Sequence, residues 1–402
     1  MPDKRSRSGE SSALQKERMK DMQIRYGVLW AYEEWMGKEG IPIYEGLAGV
    51  ENVAELPRRP WARMGGLGTF IQLEGTKQTG ALHYVVEIPA GAALEPEKHL
   101  YDELIYVLRG RGLTELWQEG GPKRSFEWGE GSLFALPLNT RHRLVNGGRE
   151  PVLLFAATNA PVVMETFHNT DFIFNCNYNF TDRYRGEADY FLAGKERHQV
   201  GVRPVWETNF IPDMRTALLD DMFVKVAGGQ ITFFNMAGWV WNHASEWPVG
   251  RYHKAHYHGP GIVLLGLNSE GYALVWPKEY GPHPYQDGHG DKVIRAPWKP
   301  GGIYAAGAGP GEWFHQHFNT GSEPARHITF GAGGSRFGER MSREGKNVDA
   351  AHISLRNGGR LVEYEDEDPE IRRQFIKALK KNGVECTMAP VTYRTDPLPA
   401  NF

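Results

Sequence analysis

The feature that most limits what this chain can become is a repeat of itself. "EIPAGAALEPEKHLYDELIYVLRGRGLTELW" (87–117) lies over "EWPVGRYHKAHYHGPGIVLLGLNSEGYALVW" (246–276) without a gap, at a constant shift of 159 residues. Glu87, Pro89, Gly91, Leu108, Gly112 and Trp117 fall on Glu246, Pro248, Gly250, Leu267, Gly271 and Trp276, and His99 falls on His258. Self-similarity at this distance is the mark of a tandem duplication, so the fold of the first block is also the fold of the second.

Each copy has the texture of β-structure. Short runs such as "HYVVEI", "LIYVL", "LTELW" and "VLLFAAT" are punctuated by Gly, Pro and Asn, at spacings that suit a barrel or sandwich. The 48 Gly, 25 Pro and 12% aromatic residues call for many turns between short aromatic-rich strands. The expected architecture is mainly β, with tandem barrels at 41–165 and 205–335 joined by a connector at 166–204 that has few regular signals. An N-terminal arm, 1–40, carries a helix. Ser12 and Gln15 form a capping-box pair, and Met19, Met22, Leu29 and Trp30 recur at helical spacing. That helix is expected to cover a sheet edge or a subunit contact. The C-terminal extension, 336–402, opens on a loop and ends on a helix at 369–382. There Asp368 is the N-cap, Pro369 the first position, lysines fill the last turn and Asn382-Gly383 is the stop.

Composition removes several function classes. Lys and Arg number 46 against 49 Asp and Glu, so no overall basic field points to nucleic acid. No run of eighteen apolar residues spans a membrane, and "MPDKRSRSGESSALQKERMKDM" lacks the apolar segment of a signal peptide. Two cysteines, Cys176 and Cys386, make no disulfide framework, so a reducing, cytoplasmic setting is expected.

The chemistry is written in histidines. "HKAHYH" (253–258) and "GEWFHQHFN" (311–319) hold five of the chain's 15. Residues i and i+2 of a strand share a face, so His256 and His258 can both aim inward. Neutral imidazoles suit Fe(II), Ni(II), Zn(II) or Cu(II) rather than Ca(II) or Mg(II).

At these residues the chain resembles the cupin superfamily, and as a pair of copies it resembles a bicupin. That family's motifs are G-x5-H-x-H-x3/4-E-x6-G and G-x5-P-x-G-x2-H-x3-N. The first copy shows Glu97, His99, Glu103 and Gly110 at the first spacing, then Gly131, Pro137, Asn139, His142 and Asn146 at the second. The second copy shows His256 and His258, then Pro310, Glu312, His315 and Asn319, with Ile262 where the motif has Glu. The resemblance implies two small antiparallel double-stranded β-helix (jelly-roll) barrels, a fold whose mouth holds a metal. In the second copy it implies His256, His258 and His315 as ligands, a trio similar to that of gentisate-type dioxygenases. In the first it implies either a centre of Glu97, His99, Glu103 and His142 or a degenerate, structural barrel with Glu97 facing solvent.

A divalent ion held by three neutral ligands keeps its formal charge, which favours a small anionic chelating substrate, an aromatic hydroxy-acid for example, with O₂ as the second reactant. Fe(II) is the expected cofactor, with Mn, Ni or Zn as alternatives. His253, His317, Trp313 and Phe314 are read as pocket or substrate-binding residues and Glu312 as a general acid or base. His283, His289, His327 and His352 have no motif support. Rival functions are an O₂-independent lyase, decarboxylase or isomerase, suggested by the first copy's carboxylates, and a non-catalytic metabolite-binding barrel. A homo-oligomer without nucleic-acid or membrane partners is expected.

Overall fold

The computed structural model describes residues 31–77, 80–192, 196–200, 203–223, 229–236, 239–258, 262–331 and 353–399. The architecture is mainly β. Among the described residues an eight-stranded and a three-stranded sheet build the first barrel, and a nine-stranded and a four-stranded sheet build the second.

The duplication read in the sequence holds strand by strand. Leu82–Ile88, Glu103–Arg109 and Arg111–Trp117 have their counterparts in Trp239–Trp247, Ile262–Gly266 and Gly271–Pro277. The second copy then inserts a segment with two short 3-10 turns, Lys278–Tyr280 and Gly290–Lys292. The shift between copies grows to 170 residues at the tryptophans Trp128 and Trp298, and to 173 at the last strands, Val152–Thr158 and Ala325–Gly331. Hydrogen bonds repeat with the strands. The Leu94 N–H donates to the Leu144 carbonyl at 2.9 Å, and the His253 N–H to the His317 carbonyl at 2.9 Å. Asn146 Nδ2 donates to the carbonyls of Ile88, Pro89 and Glu150, and Asn319 Nδ2 to those of Trp247, Pro248 and Glu323. The last Asn of the motif is thus a clamp between two barrel strands, because one buried amide satisfies several carbonyls that the turn leaves open.

Two glycines are required by close approach. Gly112 lies opposite Trp128 and Gly271 opposite Trp298. A Cβ would stand 2.5 Å from the indole at Gly112 and 2.6 Å at Gly271, with carbonyl oxygens nearer still at 2.3 and 1.9 Å.

The two large sheets pack back to back, and one shared core runs between the barrels, with Phe155 and Phe330 at 5.2 Å between ring centroids. Each barrel also lends a short strand to the other. Gly49–Val50 pairs with Tyr304 and Ile303, and Phe210–Ile211 pairs with Phe134 and Leu133.

The sequence places an N-terminal helix from about Ser12, and the described part is Ala31–Glu39, the remainder lying outside the described residues. It sets Tyr32, Trp35 and Met36 onto the inner core of the first barrel, where Trp35 meets Phe70 at 5.4 Å. Helix Ala160–Phe167 closes the first barrel segment, and Thr170–Asn175 lies in the connector, where no helix is expected from the sequence. The C-terminal helix spans Pro369–Lys381, with the Asp368 carboxylate accepting from the Glu370 N–H. It buries Phe375 against Tyr252 on the outside of the second barrel. Most of the loop expected at 336–359 lies outside the described residues. No described helix is long and apolar enough to cross a membrane.

Candidate metal centres

In the first barrel, ligand atoms of Glu97, His99 and His142 lie within 4.8 Å of one another. His142 and Glu97 face each other through an isolated β-bridge, and Glu103 opens the next strand. The His99 Nδ1 donates to the Tyr101 carbonyl at 2.8 Å and the His142 Nδ1 to the Thr140 carbonyl at 2.9 Å. Carbonyls only accept, so both Nδ1 atoms carry the proton and each neutral ring turns its Nε2 lone pair inward. Those two Nε2 atoms are buried without a hydrogen-bond partner. The His99 Nε2 is 3.5 Å from Glu103 Oε2, and the His142 Nε2 is 4.0 Å from both Glu103 Oε2 and Glu97 Oε1. Orphaned imidazole nitrogens converging with carboxylate oxygens fit a divalent ion.

The carboxylates are held from behind. Tyr84 donates to Glu103 Oε1 and Arg63 pairs with Glu97 Oε2, so each keeps its other oxygen for the centre. Arg63 also holds Glu39 at 2.9 Å and stacks 4.7 Å from the Phe174 ring. Burial alone would lower the His99 pKa and raise that of Glu103. Their mutual interaction reverses both, raising His99 and holding Glu103 below its usual range. The space beside Glu97, Glu103 and His142 is lined by Leu94, Leu144 and Leu154 and admits about one water molecule.

Asn139 stands where the motif has Gly, and it adopts φ +53°. Asn tolerates this left-handed region better than most residues. Its side chain also donates to the Cys176 and Tyr178 carbonyls at 3.0 and 2.7 Å, drawing the following segment over the site.

In the second barrel His256, His258 and His315 are brought together, again with ligand atoms within 4.8 Å of one another. His256 and His315 are directly paired across two strands. Ring centroids are 4.1 Å apart for His256–His315 and 4.5 Å for His258–His315. The His315 Nδ1 is buried and unpartnered. Burial, with repulsion from neighbouring histidines, lowers His256 and His315 well below the usual range and keeps them neutral, as metal ligands must be. Ile262 stands at the position of Glu103, so no carboxylate enters from that strand.

His253 and His317 lie beside this trio, at 4.7 Å from His256 and 5.4 Å from His315 between centroids. Trp313 lies on the His315 face of its strand. Two expectations are corrected. Phe314 points to the opposite face, packing on Tyr257 and on Trp276 toward the C-terminal extension. Glu312 is likewise outside, held by Lys278 at 2.8 Å with Arg360 at 3.8 Å. Both residues are an odd number of positions from His315, and strand alternation sends them outward. Arg63 and Tyr84 escaped the sequence reading because neither belongs to a motif. Tyr84 and Glu103 stand on strands that flank Val152–Thr158 on either side, and only the register shows their contact.

A family profile described as a cupin domain matches residues 84–158. The first barrel is a cupin domain. The matched stretch contains Glu97, His99, Glu103 and His142, and the second barrel repeats the strand topology of the first. No curated protein matches the chain. Among solved structures, a single-substitution mutant of Bacillus subtilis oxalate decarboxylase is 12% identical over 70% of this chain and 76% of its own, with a TM-score of 0.42. An oxalate decarboxylase structure concerned with substrate binding and a reaction-specificity switch is 13% identical over the same shares, with a TM-score of 0.43. Likeness at that level says nothing about which reaction this cupin performs, and the resemblance to gentisate-type dioxygenases gains nothing from it.

Proposed function

We propose that the protein is a metal-dependent cupin enzyme whose second barrel acts on a small anionic, oxygen-rich substrate, with Fe(II) and O₂ as the expected cofactor and co-substrate. The observation that carries this reading is the convergence of His256, His258 and His315 with Ile262 in place of a fourth, acidic ligand. An Fe(II) ion bound there would supply Lewis acidity and positions for substrate and O₂. The chain's own residues orient and enclose. His253 and His317 flank the ligands, and Trp313 walls the same face. Reconstitution with Fe(II) under argon, followed by hydroxy-acids and then O₂, tests it. Substrate-dependent O₂ uptake that His315→Ala abolishes supports the proposal, and a second barrel that takes up no iron ends it.

A second reading, an O₂-independent lyase or decarboxylase, is favoured by one observation. The first barrel offers two carboxylates and two imidazoles in a nearly closed space. Oxygen and nitrogen donors together suit Mn(II) as well as Fe(II). Turnover that continues under argon and disappears in His142→Ala would assign the reaction to that barrel.

A further inference from the structure

Because the two barrels repeat strand for strand, their inner faces can be compared position by position. The lining of the first is apolar and the lining of the second is polar. Leu94 and Leu144, joined by one backbone hydrogen bond, become His253 and His317, joined by the same bond. Leu154 opposite Val86 becomes His327 opposite Ser245. Ala156 becomes Thr329, and Phe134 opposite Ile105 becomes Tyr304 opposite Leu264.

One exchange leaves a donor stranded. The Trp128 Nε1 donates to Thr114 Oγ1 at 2.9 Å, whereas the position of Thr114 is Ala273 in the second copy and the Trp298 Nε1 has no partner. His327 is fully buried with both ring nitrogens unpartnered, and Thr329 Oγ1 is likewise unpartnered. Buried polar groups in native folds are paired, by protein or by something bound. The His327 ring packs edge-to-face with Trp298 and at a tilt to Trp247, at 4.3 and 4.9 Å between centroids. The Tyr304 hydroxyl lies 3.1 Å from His317 Nδ1, which ties this face to the candidate metal centre.

The chemistry of the unmet groups selects the occupant. Burial pushes His327 down to about 3, so the ring is neutral, with one donor and one acceptor nitrogen. A carboxylate only accepts and would leave the second nitrogen orphaned. A hydroxyl both donates and accepts, and satisfies His327 and Thr329 alike, while the Tyr304 hydroxyl, already at His317, has capacity for one more bond.

We propose that the second barrel binds a polyhydroxylated carboxylic acid, its carboxylate at the His256–His258–His315 centre and its hydroxyls on Tyr304, His317, His327, Thr329 and Trp298. This rests on the reading of the second barrel as the reacting one and narrows its substrate class.

The test uses the full chain loaded with redox-inert Zn(II), and calorimetric binding of three six-carbon probes: gluconate, hexanoate and the neutral hexitol sorbitol. Gluconate is expected to bind at least about tenfold more tightly than hexanoate, the size of preference a hydrogen-bonding site shows for its hydroxyls. His327→Leu and Tyr304→Phe each install the residue of the first barrel. Both are expected to shrink that preference with zinc content unchanged by elemental analysis, Tyr304→Phe being the milder change should His327→Leu fail to fold. Gluconate and hexanoate binding alike would overturn the proposal, whether or not zinc is bound, since water alone would then satisfy the histidines. A gluconate preference that survives both substitutions would overturn it too. Gluconate and sorbitol binding alike would instead remove the metal anchor and leave the hydroxyl site standing.

Discussion

At the scale of single residues, neighbouring side chains do different jobs because alternation assigns them to opposite faces. His315 and His317 point inward while Gln316 and Phe318 face the C-terminal extension. Arg63 illustrates a residue that acts through another. It holds Glu97, whose side chain is only 11% exposed. Arg63→Met would leave that carboxylate buried and unpaired, at a cost of about 3 kcal/mol. Chemical denaturation should show this loss, and elemental analysis should show metal leaving the first barrel while the second keeps its own. Gly112→Ala and Gly271→Ala each drive a methyl group into an indole and a carbonyl. Each is expected to lower stability by about 1–3 kcal/mol in urea titration.

The metal-ligand candidates were legible because motif spacing survives in the sequence: His99, His142 and the three histidines of the second copy stand at the intervals the barrel requires. Odd spacing from His315 puts Glu312 and Phe314 outside, against the pocket roles their motif neighbourhood suggests. His327 was passed over because a lone histidine carries no spacing signal. Only its register against Ser245 shows that it replaces Leu154. Arg63 could not be found from spacing at all, since its contact with Glu97 depends on how a preceding turn folds onto the barrel.

At the scale of elements, the C-terminal extension is the part with the richest internal logic. Asp368 caps its helix and also accepts the Tyr285 and Gln286 N–H groups at 2.8 Å each, so one buried carboxylate joins the helix to the inserted loop of the second barrel. Asp368→Ala should cost about 2 kcal/mol, the upper end for a lost cap, because the loop amides lose their acceptor as well. Thermal unfolding measures it.

Next to the cap, Glu367 is buried against Tyr252 and Gln316. Burial lifts its carboxyl from 4.5 to about 8, although both hydrogen bonds favour the charged form. Between those values the folded state binds a proton that the unfolded chain releases. Its contribution to stability is therefore full below 4.5 and is lost as pH rises through 8. Melting temperatures across this window should fall in the parent protein and flatten in Glu367→Gln.

At the scale of the whole molecule, the sequence showed two copies but not how they meet. The shared core between the large sheets joins residues from both halves of the chain, such as Phe155 and Phe330. Nothing in a linear pattern distinguishes an apolar face turned to a partner sheet from one turned into its own barrel. With so much apolar surface common to both, the molecule is expected to melt in a single calorimetric transition, with equal van't Hoff and calorimetric enthalpies. Two resolved transitions would contradict that expectation.

The lent strands carry one more consequence. Gly49–Val50 belongs by sequence to one half and by hydrogen bonding to the other, and Phe210–Ile211 does the reverse. A cut anywhere between the halves therefore removes an edge strand from each product and bares the amides of Ala305 and Ala135, which donate to Ala48 and Asn209, to any passing β-edge. Separately expressed halves would be sticky alone and would rebuild the whole when mixed, each returning what it had borrowed.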